Sequence, residues 1–210
     1  MTDVYEIDTL VSQLPEKPVV IDIGANAGFF DIQLLSKVEQ ATIYAYEPMM
    51  ANVKALQQTM IQNPRLQQSI QLFPMAVTGQ SIPHLDLFAE AEENSQVVAS
   101  AFAGFSENNS QKITVPCITL TEIMQQNNLQ SVDLLKLDCE GGEYDIIYHT
   151  DPDLLRRIKR MTIEVHNLDT DRNNMEAFNS YLQSVGYSTT HTPINSFCYA
   201  LEAQKSMNNR

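Results

Sequence analysis

Val19-Val20-Ile21-Asp22-Ile23-Gly24-Ala25-Asn26-Ala27-Gly28 is a short β-branched run that breaks into a loop of small residues. Val19–Ile23 reads as a strand. Gly24 and Gly28 let the backbone turn sharply and approach a ligand closely. Phe29–Val38 then places Phe30, Leu34 and Val38 at helical spacing. Strand, tight turn and helix make the opening unit of an α/β fold, and the helix start presents free amide N–H groups.

The same alternation runs outward from this unit. Thr42–Tyr46 reads as a strand ended by Glu47-Pro48, and Met50–Ile61 as a helix with Val53, Leu56 and Met60 on one face. Ile70–Phe73, Asp133–Asp138 and Met161–Val165 read as further strands. Met175–Val185 is an amphipathic helix stopped by Gly186, and Tyr187–Leu201 reads as two strands around Pro193-Ile194-Asn195-Ser196. This order predicts a doubly wound, mostly parallel sheet with helices on both faces and right-handed crossovers. Ligands of such sheets bind beyond the carboxyl ends of the strands.

His84–Leu120 breaks the rhythm. It holds strand candidates at Leu85–Phe88 and Lys112–Val115, a polar loop at Glu90–Gln96, and Thr119 or Thr121 as cap of a helix containing Ile123. The expectation is a single domain over 1–210 with an insertion at about 84–120, of the kind that carries substrate-specific loops.

Composition narrows the partners. The formal net charge is −13, and Arg156, Arg157, Lys159 and Arg160 form the only basic run. That argues against nucleic acid and against an anionic membrane surface, both of which need clustered cations. Cys117, Cys139 and Cys198 are odd in number and not spaced as C-x-x-C, which speaks against a disulfide framework or a structural zinc site. The segment Met1–Leu14 has no positive signal-peptide start, and no apolar run approaches the ~20 residues of a membrane span. A cytoplasmic location is expected, and the oligomeric state stays open.

The strand ends carry the chemistry. Asn26 replaces the middle glycine of a dinucleotide fingerprint, which disfavours a pyrophosphate. The loop suits a nucleoside with a zwitterionic amino-acid tail: Asp22 can receive the ammonium, directly or through water, while loop amides meet the carboxylate. Glu47 can accept both ribose hydroxyls and would repel a 2′-phosphate. Met75 and Ala76 can sandwich an adenine ring or serve as ordinary core and turn. Along an extended strand Lys136, Asp138 and Glu140 point the same way, and three charges there are hard to bury unpaired. They form either a site or a structural ion-pair network. Glu164 and His166 share a strand face, and a neutral His166 imidazole suits a general base or a partly exposed strand end.

Val20–Gly28, then Tyr46-Glu47-Pro48, then Lys136-Leu137-Asp138-Cys139-Glu140-Gly141-Gly142-Glu143 resemble the FkbM-type methyltransferase family. Asn94-Ser95 and Ile163-Glu164-Val165-His166 are similar to its pattern too. The resemblance implies a class I methyltransferase, Rossmann-like fold of seven strands with the seventh antiparallel. It implies methyl transfer from S-adenosylmethionine, usually to a hydroxyl oxygen of a small-molecule acceptor such as a sugar, polyketide or other secondary metabolite. By the same likeness Asp22, Gly24, Asn26 and Gly28 line the methionine end, Glu47 holds the ribose, Met75 and Ala76 flank the adenine, and Asp138 closes the cofactor site beside the acceptor. Phe30 and Asp31 stand where the family often has threonine or serine, and Cys139 replaces an aliphatic residue. Methyl transfer from a sulfonium needs alignment and a base. Asp138, Glu140 or His166 is expected as that base, with Lys136 positioning the acceptor. A Mg²⁺ ion at the carboxylates is not expected, because Lys136 is their internal partner. The rival readings are a non-catalytic S-adenosylmethionine-binding protein and an NAD-dependent oxidoreductase.

Overall fold

A computed structural model describes residues 6–89, 99–100 and 111–206. In chain order the elements are α1 (Ile7–Val11), β1 (Val19–Ile23), α2 (Phe29–Lys37), β2 (Thr42–Tyr46), α3 (Met50–Gln62), α4 (Pro64–Ser69), β3 (Ile70–Phe73) and β4 (Ala76–Thr78). There follow β5 (His84–Ala89), β6 (Ala99–Ser100), β7 (Gln111–Thr119), α5 (Leu120–Gln126), β8 (Leu134–Leu137), α6 (Glu143–His149), α7 (Pro152–Leu155), β9 (Arg160–His166), α8 (Met175–Val185), β10 (Tyr187–Pro193) and β11 (Cys198–Lys205).

Seven strands form one sheet in the order β10-β11-β9-β8-β1-β2-β3. β1 lies between β2 and β8, parallel to both, with Asp22 opposite Ala45 and Lys136. β11 alone runs antiparallel, wedged between β9 and β10. The chain winds one way from β1 through β2 to β3 and the other way from β8 onward. The order therefore reverses between β1 and β8, and a crevice opens above their carboxyl ends. The sheet is the doubly wound, mostly parallel one expected.

Both faces of β1 are covered, as a near-continuous apolar strand requires. Ile21 and Ile23 pack with Leu135, Leu137, Tyr144 and Phe178 on one side. Val20 packs with Leu34, Ile43 and Leu56 on the other. Alternation puts Asp22 on the Val20 side, facing α2. Helix α8 buries Met175, Phe178, Leu182 and Val185, starts on an Asn174 side-chain cap and ends at Gly186, whose φ of 109° is left-handed.

The His84–Leu120 segment contributes to a second sheet, ordered β4-β7-β5-β6. Thr119 is the cap of α5: its hydroxyl accepts from the Glu122 amide at 3.1 Å, and the Glu122 carboxylate accepts from the Thr119 amide at 2.8 Å. The expected loop Glu90–Gln96 and the pair Asn94-Ser95 lie outside the described residues. Among the described residues no helix is long and apolar enough to cross a membrane.

Candidate active site

A cavity of about 260 Å³ opens over the carboxyl ends of β1, β2 and β8, and β4 and β5 supply its far wall. The glycine loop forms its floor. The Gly24 and Ala25 amides donate to the Tyr46 carbonyl at 3.0 and 3.1 Å, which turns the chain out of β1. Gly24 has φ 80°, and a Cβ there would stand 1.8 Å from the Asp138 carbonyl oxygen. Only glycine fits this close approach of two strand ends. Asn26 is also left-handed, at φ 51°, and its side chain accepts from the Ala27 amide at 2.7 Å, the local bond that lets asparagine hold such a turn.

Glu47 ends β2 ahead of Pro48, which biases it to extended backbone. Its carboxylate accepts from the Asn26 amide at 2.9 Å, the Met49 amide at 2.8 Å and the Asn52 side chain at 3.2 Å. Burial pushes its pKa up against those bonds. Met75 and Ala76 line the same cavity beside Val77 and Thr78.

Lys136 lies beneath the floor, 2% exposed. Its ammonium donates to the Gly24 carbonyl at 2.6 Å, with Asp22 Oδ1 at 3.1 Å and Asp138 Oδ2 at 3.7 Å. Burial opposes that charge, but Asp22 and Asp138 outweigh it and hold the ammonium protonated. Asp22 and Gly28 are not on the cavity wall; Asp22 meets the loop through Lys136.

Asp22 has a second neighbour that the sequence reading passed over. Asp31, on the first turn of α2, is fully buried against it. Apart from the Lys136 ion pair, no hydrogen-bond donor among the described residues reaches the four oxygens of this pair. Two touching carboxyls beside one ammonium hold a proton between them. Burial, then the Asp22 charge, pushes Asp31 well up, and burial pushes Asp22 up too, against Lys136. A carboxyl raised in the fold favours folding at low pH, and that contribution fades as pH climbs past the unfolded value. Asp31→Asn keeps a donor toward Asp22 without needing a proton. Its Tm is expected to gain a few degrees at pH 8 and to vary less between pH 5 and 8, since ~1 kcal/mol is worth about 2–4 °C at this size. An unchanged slope of Tm with pH would count against the shared proton.

On the acceptor side the strand reading needs one correction. β8 stops at Leu137, and Glu140 is left-handed with φ 50°, so Glu140 reaches the cavity by a turn and not by strand alternation. Asp138 and Glu140 both line the cavity. Burial, then the Asp138 charge, raises Glu140 to about 7. Glu143, which closes the Lys136–Glu143 block but has no role assigned from sequence, holds the turn: it is fully buried and accepts from the Gly141 amide at 2.9 Å and the His166 amide at 2.7 Å. Its position three residues after Glu140, in a run of glycines, was the available signal. His166 Nδ1 lies 3.2 Å from Glu143 and Nε2 lies 3.5 Å from Glu140. Burial works against a charged imidazole, yet Cys198 and Glu143 prevail and push it up to about 11. The structure thus brings Asp138 and Glu140 to one crevice, buries Lys136 beneath its floor, where it cannot touch an acceptor, and sets His166 one side chain behind its wall.

The methyltransferase FkbM domain model matches residues 22–189. The chain is similar to methyltransferase sdnD of Sordaria araneosa, 23% identical over 205 residues, covering 86% of this chain and 77% of that protein. It is 21% identical over 196 residues to the AMB antimetabolite synthetase AmbE of Pseudomonas aeruginosa, covering 79% of this chain and only 9% of the synthetase. Among solved structures, methyltransferase FkbM from Methylobacillus flagellatus KT gives a TM-score of 0.60 at 11% identity, over 90% of this chain and 44% of that one. An rRNA methylase from Streptococcus thermophilus gives 0.54 at 10% identity, over 96% and 94%. TrmK of M. capricolum, solved with S-adenosylhomocysteine, gives 0.52 at 10% identity, over 96% and 68%. At such identities the structural likeness is one of fold, that of class I Rossmann-like methyltransferases. The family model runs from β1 into β10, and the chain belongs to the methyltransferase FkbM domain family.

Proposed function

We propose that this protein transfers a methyl group from S-adenosylmethionine to a hydroxyl oxygen of a small-molecule acceptor. The observation that carries the reading is the pairing of Glu47 with the Asn26 amide across the glycine loop, at the cavity floor. It sets an acidic ribose acceptor beside backbone that approaches closely, which fits an adenosyl amino acid. Gly24 and Asn26 hold the methionine end, Gly28 closes the turn, and Met75 and Ala76 flank the adenine. Asp22 acts on the loop through Lys136. When bound, the cofactor supplies an activated methyl on a sulfonium.

The chain's own residues align the acceptor and take its proton. Glu140 lines the cavity with its carboxyl raised to about 7, in the range a general base needs, and His166 braces it from behind at 3.5 Å, so Glu140 is the base. The Glu140 carboxylate would take the acceptor's hydroxyl proton. Glu140→Gln is expected to lower turnover by about 10²–10⁴-fold while S-adenosylhomocysteine affinity stays within twofold. Unchanged turnover would sink the assignment.

A net charge of −13 supports a small acceptor over nucleic acid or a membrane surface. The three free cysteines accord with a reducing, cytoplasmic setting. The cofactor is tested by thermal shift: S-adenosylhomocysteine should add ~2.7 kcal/mol of stability at a hundred times its Kd, and NADH should add none. The acceptor is tested with methyl-labelled S-adenosylmethionine on a panel of hydroxylated sugars and polyketides. Label appearing only on amines, carbon or RNA would overturn the hydroxyl reading, and cofactor binding without transfer to any acceptor would favour a non-catalytic protein.

A further inference from the structure

Behind the wall of the cavity, the pairing of β9 with β11 builds a second cluster. Cys198 stands directly opposite His166, and Ala200 stands opposite Glu164. Side chains two apart on a strand share a face, and directly opposed residues place their Cβ atoms about 4.5–5.5 Å apart. Register thus gathers Glu164, His166 and Cys198 on one face at the carboxyl end of β9. Their candidate ligand atoms all lie within 4.8 Å of one another. Cys198 Sγ is 3.8 Å from Glu164 Oε2, although the two residues are 34 positions apart. His166 is 4% exposed and Cys198 3%.

We propose that Glu164, His166 and Cys198 bind one divalent transition-metal ion of the zinc class. Metal–sulfur bonds of about 2.3 Å and metal–nitrogen or –oxygen bonds of about 2.0–2.2 Å put tetrahedral ligand atoms roughly 3.3–3.6 Å apart. The thiol–carboxylate edge, at 3.8 Å, is within a few tenths of an ångström of that spacing, and an edge as wide as 4.8 Å closes by about 1.2 Å through side-chain rotation on binding. One thiolate and one imidazole exclude Mg²⁺ and Ca²⁺, which take oxygen ligands. The supporting shell is in place. A ligating histidine normally gives its other ring nitrogen to a carboxylate, and His166 Nδ1 meets Glu143 at 3.2 Å. Glu143 is itself fixed by the Gly141 and His166 amides, so the ring cannot swing. Nε2 is then the ligand atom, and the fourth coordination position lies toward Glu140, whose Oε2 is 3.5 Å from it. Three protein ligands with one position open is the pattern of ions that hold water or substrate.

This site lies apart from Asp138, whose cation is already Lys136. It was not visible as a cysteine spacing because the strand register, and not the local sequence, assembles it. Because its ligands must be deprotonated, metal binding there depends on pH.

The test uses the full chain, stripped with a chelator and titrated with Co²⁺ alone. One equivalent should bind, with the strong visible bands of tetrahedral cobalt and a thiolate-to-cobalt charge-transfer band. Cys198→Ser should abolish the charge-transfer band, Cys117→Ser should retain it, and Glu143→Gln should weaken affinity by about 10–100-fold. If Cys198→Ser does not fold, Glu164→Gln should still weaken Co²⁺ binding while leaving the charge-transfer band. Absence of stoichiometric binding overturns the proposal. So does a charge-transfer band that survives Cys198→Ser, or a Co²⁺ affinity that Glu164→Gln leaves unchanged. S-adenosylhomocysteine binding is read in parallel and should not depend on Co²⁺, so failure of the cofactor reading and failure of the metal site are separable.

Discussion

Lys136→Met is expected to lower the unfolding free energy by about 3–5 kcal/mol, the usual result of stranding a buried charge. The ammonium is the counter-charge of the buried Asp22 and of Asp138 at the cavity wall, and the donor to the Gly24 carbonyl. A methionine fills the space but leaves the Asp22–Asp31 pair without a cation. At roughly 2–4 °C per kcal/mol, Tm should fall by at least about 6 °C. Adding Asp22→Asn to Lys136→Met should recover part of the loss, because the two residues share one interaction. Thermal and urea unfolding check both. A loss under ~1 kcal/mol would mean that the ion pair contributes little beyond shape.

Glu47→Gln is expected to weaken S-adenosylhomocysteine binding roughly 100-fold or more. The carboxylate receives three donors, from Asn26, Met49 and Asn52. A carboxamide must turn its NH₂ toward one of those amides, so donor faces donor, and the ribose loses an acceptor. A ribose hydrogen bond to a charged group is worth about 1.5–3 kcal/mol, or about 10–100-fold, and the disturbed glycine loop adds to that loss. Calorimetry gives the dissociation constant directly. A change within threefold would remove Glu47 from the ribose site and with it the main support for the cofactor reading.

Much of this was legible because a parallel sheet sends every strand end to one side. Once β1, β2, β8 and β9 are read, Glu47, Asp138 and His166 have to lie near one crevice. What the sequence hid were contacts between elements. Asp22 faces α2 by strand alternation, but that Asp31 waits there depends on how the helix docks. Glu140 arrives by a left-handed turn, a conformation that a glutamate does not announce. α1, α4, α6 and α7 span 5, 6, 7 and 4 residues, too few for a helical period to declare itself. The three-residue β4 is shorter still, and its pairing with β7 is what gives the cavity its far wall.

The placement of β11 bears on how the protein is made. Ribosomes deliver β10 before β11, yet β11 lies between β10 and the rest of the sheet. As it emerges, β10 has no neighbour in the sheet to hydrogen-bond with, and β9 has an unprotected flank. Both wait for Cys198–Lys205 to slot between them. During that interval β10 is solvated by Ser188, Thr189, Thr190, His191 and Thr192, mostly polar side chains that discourage a stray strand from another nascent chain. A stop codon falling within β11 would therefore not trim a border of the sheet; it would leave a gap in its interior.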